Sequence, residues 1–198
     1  MKTYVATKNA GKLAEMHALF AASPLELLTY PEYAHVVEDA NTYVGNALLK
    51  ARALSLQLPE AGIVAAVVAD DSGLEVDALG GRPGVFSARY GGAAATWPQR
   101  RAHLLSELQG IPERERSARF VSAMALILPG GEEITAVGVV SGYIVENQRG
   151  GGGFGYDPVF LHPASGATFA ELNERQKNAV SHRRAAADAL LATLRERA

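Results

Sequence analysis

The chain has 198 residues, 48% of them hydrophobic, and its 19 basic and 21 acidic side chains leave a net charge of −2. At roughly 150 residues per domain this is one domain, 1–198, large enough to bury a core without covalent staples. The near balance of charge excludes a protein devoted to coating nucleic acid or an anionic membrane, and the lack of cysteine excludes disulfides, thiolate nucleophiles and cysteine-based zinc sites.

From the N-terminus, Lys2–Thr7 is β-branched and aromatic and reads as a strand. The turn after it leads into a helix over Gly11–Ala22, where Leu13, Met16, Leu19 and Phe20 recur at close to helical spacing. Leu25–Tyr30 is a second strand, closed by Pro31. A charged loop, Glu32–Asn41, precedes a helix predicted from Thr42 to Leu58 and ended by Pro59. Ile63–Ala69 is an apolar run of the kind shown by a strand buried on both faces, and it is far short of the ~18–20 residues that cross a bilayer. MKTYVATKNAGK holds no long apolar stretch either, so no signal peptide is expected and a cytoplasmic protein is. The strand is predicted to break at Asp70-Asp71-Ser72-Gly73, with a short one following over Leu74–Asp77.

Leu79–Gly92 is a glycine-rich loop, and Thr96 before Pro98 marks the start of a third helix that ends near Gly110. Ala118–Leu128 and Glu132–Val140 read as strands of a hairpin turned by Pro129-Gly130-Gly131. A last helix is predicted from Ser181 to Arg197, with Ser181 available as its cap. Strands alternating with helices early and a hairpin late specify a mixed α/β domain with antiparallel pairing in its second half.

Several stretches can carry chemistry. Thr7-Lys8-Asn9-Ala10-Gly11-Lys12 offers backbone N–H groups at a helix start, a glycine and a lysine, which make either an anion cradle or an ordinary strand–helix turn. It is not a P-loop, which would need glycine at Ala6 and a hydroxyl at Leu13. Successive strand residues point to opposite faces, so only one of Asp70 and Asp71 can serve a given site. Such a carboxylate suits Mg²⁺, and Glu38-Asp39, otherwise a polar loop, could supply a second; a solvated turn also accounts for DDSG. Lys50 interrupts the mostly apolar NALLKA and reads in isolation as a snorkelling lysine. Gly150–Gly153 followed by Phe154-Gly155-Tyr156-Asp157-Pro158 sets aromatic faces beside polar groups, as a stacked nucleobase or a packed loop would require. Lys177 and Ser181-His182-Arg183-Arg184 put positive charge at a helix start, against the helix dipole, which points to an anion nearby. Only five of the 19 basic residues are lysine, and four of these, Lys8, Lys12, Lys50 and Lys177, fall in the segments just named.

Taken in order, TKNAGK, NALLKA, ADDSGLEVDALGGRPGVFSARYGG, GGGGFGYDPVF and SHRRAA resemble one family, the house-cleaning nucleoside triphosphate pyrophosphatases that act on inosine, deoxyinosine and xanthosine triphosphates. The resemblance implies an α/β fold with a mixed elongated β-sheet flanked by helices, two lobes with a central cleft, and a homodimer. It implies Thr7, Lys8, Asn9, Ala10, Gly11 and Lys12 as a triphosphate-binding turn and Lys50 as a phosphate contact. Asp71 matches the proton acceptor and Mg²⁺ ligand, Glu38 an acidic position near the metal, and Ser72 a place in the substrate site. Phe154, Gly155, Tyr156 and Asp157 match the loop that holds the base, and Lys177, His182 and Arg183 the remaining substrate contacts. The implied reaction is attack of water on the α-phosphorus, giving a nucleoside monophosphate and pyrophosphate. A nucleotide-sensing module without hydrolysis and a less selective nucleotide pyrophosphatase are the alternatives. The chain departs from the family pattern at Gly45, where an acidic residue often precedes Asn-Ala.

Overall fold

A computed structural model of the chain describes residues 1–34 and 36–197. In chain order the elements are β1 (Lys2–Val5), α1 (Ala10–Phe20), β2 (Glu26–Thr29), α2 (Tyr43–Glu60), β3 (Ala66–Val76), α3 (Trp97–Glu107), β4 (Ser117–Ile127), β5 (Glu133–Ile144), β6 (Phe160–His162), β7 (Ala167–Thr168), α4 (Glu174–Val180) and α5 (His182–Glu196). The strands form a mixed sheet flanked by helices, in the order β2-β1-β3-β4-β5-β6-β7. β1 pairs in parallel with β2 and β3, whereas β6 pairs antiparallel with β5 and β7, so the antiparallel pairing falls in the second half of the chain as expected. Among the described residues no helix is long and apolar enough to cross a membrane.

The chain divides into two compact units. The first comprises Met1–Asp71, Ser122–Gly138 and His182–Ala198. Its sheet buries both faces, and the period of two sorts the residues between them. Val5, Ala66, Val68, Met124 and Leu126 join Met16, Leu19 and Phe20 of α1 and Ala186, Ala187, Leu190 and Leu191 of α5 in one apolar layer. Val67, Ala69, Ala125 and Ile127 join Ala47, Ala51, Leu54 and Leu58 of α2 in the other. Small residues let α5 approach closely: a Cβ on Gly138 would overlap the backbone of His182 and Ala186.

The second unit comprises Ser72–Val121 and Val139–Ser181. Its core gathers Leu74, Leu104, Leu108, Tyr156 and a trio of phenylalanines. Phe160 lies 4.5 Å from Phe120 and 5.0 Å from Phe169, ring centre to ring centre. The glycine-rich 79–92 stretch folds into short 3-10 turns over Asp77–Leu79 and Gly84–Arg89. Thr96 caps α3 as expected, in a capping box with Gln99.

Two local expectations are corrected. The apolar strand does not break at DDSG, because β3 runs unbroken from Ala66 to Val76. Distant segments supply partners to both aspartates inside the strand, Lys12 and Arg183 to Asp70 and Asn46 and Lys50 to Asp71. Pro59 does not end α2, which continues to Glu60; in the last turn a proline forfeits a single N–H bond. The last helix stands where expected, as α5 over His182–Glu196, and a short helix not foreseen, α4, precedes it across Ser181, whose backbone is extended at φ −78°, ψ 157°. Two strands without a sequence expectation, β6 and β7, follow FGYDP; at three and two residues they are too short to show periodicity.

Candidate active site

The first unit builds two charged clusters on β3. Asp70 is 1% exposed and faces α1 and α5: Lys12 Nζ stands 3.2 Å from its Oδ1, and Arg183 Nε donates to its Oδ2 at 3.1 Å. Arg183 also donates to Glu15 Oε2 at 2.7 Å, so one guanidinium ties α5 to α1 and β3. Burial alone would raise the Asp70 carboxyl, but Lys12, Arg183 and Lys50 outweigh it and hold the group well below the usual carboxylate range. Burial pushes the Lys12 ammonium down, with Asp70 opposing that shift and Lys50 and Arg183 adding to it. The anion anticipated at the start of the last helix is thus supplied, for Arg183, by the chain itself.

Asp71, one residue on, belongs to the α2 face. Asn46 Nδ2 donates to its Oδ2 at 3.0 Å, and Lys50 Nζ stands 3.7 Å from its Oδ1. The same ammonium lies 3.2 Å from Glu38 Oε2. Asn46 and Lys50 are one helical turn apart and share the buried face of α2, so Lys50, at 7% exposure, is not a snorkelling surface residue. Burial raises the Asp71 carboxyl above its ordinary value despite Lys50, Lys12 and the Asn46 amide; Glu38 adds to the rise. Two consecutive acids are therefore driven in opposite directions, the arrangement that separates a fixed anion from a proton acceptor.

The turn before α1 is closed by its own side chains. Thr7 Oγ1 accepts from the Asn9 N–H, and Asn9 Oδ1 caps the helix by accepting from the Lys12 N–H at 3.0 Å. The N–H groups of Ala10 and Gly11, first in α1, have no acceptor within the helix and carry its positive end. Lys8 is exposed, Ser72 continues β3 half-buried, and His182 opens α5 buried.

The second unit orders the FGYDP loop from three sides. Asp157 Oδ2 accepts from the Phe154 N–H at 2.8 Å and pairs with Lys177 Nζ at 2.5 Å. Lys177 in turn lies 4.6 Å above the Phe154 ring, a cation–π contact. Gly153, at φ +65°, is required here, since a Cβ would overlap the Asp157 carboxylate. Tyr156 donates its hydroxyl to the Ser87 carbonyl at 3.1 Å, and the Trp97 ring meets Tyr156 edge-on. Arg101 donates to the Gly155 carbonyl at 2.8 Å. Trp97 and Arg101 were not singled out from sequence, where a helix face of mixed aromatic and basic residues carries no distinctive spacing.

The Ham1 family model matches residues 3–193, almost the whole chain. The chain belongs to the Ham1 family. A Geobacillus kaustophilus relative described as a dITP/XTP pyrophosphatase is 50% identical over 182 residues, covering 90% of this chain and 87% of that protein. One of the same description from Shouchella clausii is 46% identical over 192 residues, covering 96% and 94%. Among solved structures, a HAM1 protein from Coxiella burnetii superposes with a TM-score of 0.86 at 36% identity over 99% of each chain. Against this Ham1 background, Gly45 has a local reason. A Cβ there would stand 2.7 Å from the Ala40 Cβ and 3.0 Å from Thr42 Oγ1, so segment 40–42 occupies the space a side chain would need.

Proposed function

We propose that this chain hydrolyses non-standard purine nucleoside triphosphates, dITP, ITP and XTP, to the monophosphate and pyrophosphate, clearing them from the nucleotide pool. The observation that carries the reading is the Asp71 carboxylate, raised by burial and set beside Asn46, Lys50 and Glu38 in a chain of the Ham1 family. Asp71 takes a proton from water as that water attacks the α-phosphorus. The bond from the α-phosphorus to its bridging oxygen breaks, and pyrophosphate leaves with the electron pair. Lys12, Lys50 and the N–H groups of Ala10 and Gly11 stabilise the charge that grows on the phosphates, the largest demand in phosphoryl transfer.

Mg²⁺ fits the donor set. Glu38 and Asp71, two hard oxygen donors drawn to one lysine, would hold the ion. Among the described residues no group of three or more acidic or histidine ligands would form an all-protein cage. When bound, the ion offsets phosphate charge and makes water more acidic. Phe154, Tyr156, Asp157 and Lys177 hold the purine, and the 6-oxo group of hypoxanthine or xanthine is told from the 6-amino group of adenine by a donor that adenine leaves unpaired. The resemblance also supports a homodimer in the cytoplasm, and light scattering tests the dimer.

The experiment is an assay of pyrophosphate release from dITP, XTP, ATP and GTP with Mg²⁺. Pyrophosphate and monophosphate in equal amounts from dITP and XTP, with ATP far slower, is the expected result. Orthophosphate and diphosphate instead would refute it, and equal rates on all four would favour the less selective enzyme.

A further inference from the structure

Asn46 is 1% exposed in the first turn of α2, and both ends of its amide are used. Oδ1 accepts from the Ala40 N–H at 3.0 Å, and Nδ2 donates to Asp71 Oδ2 at 3.0 Å. A carboxamide can accept from a backbone N–H and donate to a carboxylate at once while adding no charge. Gly45, the residue before it, leaves the space into which Ala40 and Thr42 pack. Two residues upstream of Ala40 stands Glu38, whose carboxylate reaches Lys50 at 3.2 Å. One amide therefore connects the loop that carries Glu38 to the strand that carries Asp71.

We infer that Asn46 is a positioning residue for the hydrolysis: it holds the Asp71 carboxylate in a single orientation and fixes the Glu38 segment to it. This rests on the reading of Asp71 as proton acceptor given above. A hydrogen bond on one carboxylate oxygen sets the rotation of the whole group, and with it the direction from which the other oxygen meets water. Catalytic groups displaced by about 1 Å lose roughly a hundredfold in rate, so the orienting bond matters beyond its own strength.

The test compares the wild type with Asn46→Ala and Asn46→Asp in steady-state dITP hydrolysis, thermal melting, and calorimetric titration with Mn²⁺ in the absence of substrate. Asn46→Ala removes both hydrogen bonds. Asn46→Asp keeps an acceptor for the Ala40 N–H but replaces the donor to Asp71 with a second carboxylate. In both variants kcat is expected to fall about tenfold to a hundredfold with KM for dITP within about twofold, the pattern of a group that acts in the transition state. Mn²⁺ is expected to bind Asn46→Ala several-fold more weakly than the wild type. Wild-type kcat in folded Asn46→Asp would overturn the inference, because a residue that only anchors the loop tolerates that change. If Asn46→Ala does not fold, Asn46→Asp decides alone. If the wild type fails to hydrolyse dITP, the proposed function is wrong, and unchanged Mn²⁺ affinity in Asn46→Ala would separately overturn the positioning role.

Discussion

Asp70 and Asp71 are consecutive in β3, and the pleat of the strand delivers them to different chemistry. Asp70 pairs with two cations, Lys12 at 3.2 Å and Arg183 at 3.1 Å, whereas Asp71 takes a neutral amide donor at 3.0 Å and has Lys50 at 3.7 Å. The first is a fixed anion that joins β3 to α1 and α5. The second is a carboxylate of raised basicity on the α2 face.

Asp70→Asn should destabilise the fold at neutral pH, because it leaves Lys12 and Arg183 short of their buried counter-charge. Removing one partner of a buried ion pair costs about 3–5 kcal/mol, which for a domain of this size lowers Tm by roughly 10 °C. The sign of the pH dependence follows from the depressed Asp70 carboxyl. Its contribution is complete above the unfolded value of ~4 and is lost as pH falls below that value. Melting curves from pH 7 down to about 2 should therefore show an acid decline in the wild type that is shallower in the variant.

Asp71→Asn should abolish turnover while leaving the metal-free protein as stable as the wild type or more so. The Asp71 carboxyl is raised in the fold, so its ionised form opposes folding at neutral pH, and that cost disappears as pH falls and the group protonates. Without metal the variant melts at or above the wild type at pH 7, and the difference closes toward pH ~4. Added Mg²⁺ raises Tm of the wild type and has a smaller effect on the variant, as expected if Asp71 is a ligand.

Lys50→Ala removes the ammonium that separates Glu38 from Asp71. Loss of a charge-assisted contact of ~1.5–3 kcal/mol to phosphate lowers kcat/KM for dITP roughly 10- to 150-fold. Two facing carboxylates are left behind, so Tm falls by several degrees as well. Lys2→Ala, on the exposed start of β1, serves as control and changes neither quantity.

Asp157→Ala should act mainly on substrate affinity. It deprives the buried Lys177 ammonium of its partner and the Phe154 N–H of its acceptor, freeing the loop assigned to the base. KM for dITP rises by about tenfold or more while kcat changes less, the signature of lost uniform binding. Asp157→Asn, which keeps an acceptor for Phe154, recovers part of the affinity.

Much of the fold was legible locally. The 3.6-residue spacing of Met16, Leu19 and Phe20, the Thr96 cap and the Pro129–Gly131 turn each mark their element, and all three stand where expected. What the sequence hid depends on partners far along the chain. DDSG looks like a turn because nothing nearby announces that Arg183, 113 residues away, and Lys12 will neutralise Asp70 inside a strand. The partners of Arg183 are hidden for the same reason, the second, Glu15, being 168 residues distant. Asn46 went unmarked although NALLKA was singled out, because a polar residue one turn from Lys50 has significance only once Asp71 and Ala40 are seen beside it. The Asp71 cluster itself was recognisable as a motif, while the opposite drift of the two aspartates needed the packing.

The most direct test of the central claim is hydrolysis of dITP in water labelled with heavy oxygen, followed by mass spectrometry of the products. Attack on the α-phosphorus places one labelled oxygen in the deoxyinosine monophosphate and none in the pyrophosphate, and Asp71→Asn yields no labelled product. Label in the pyrophosphate, or release of labelled orthophosphate, would contradict the account.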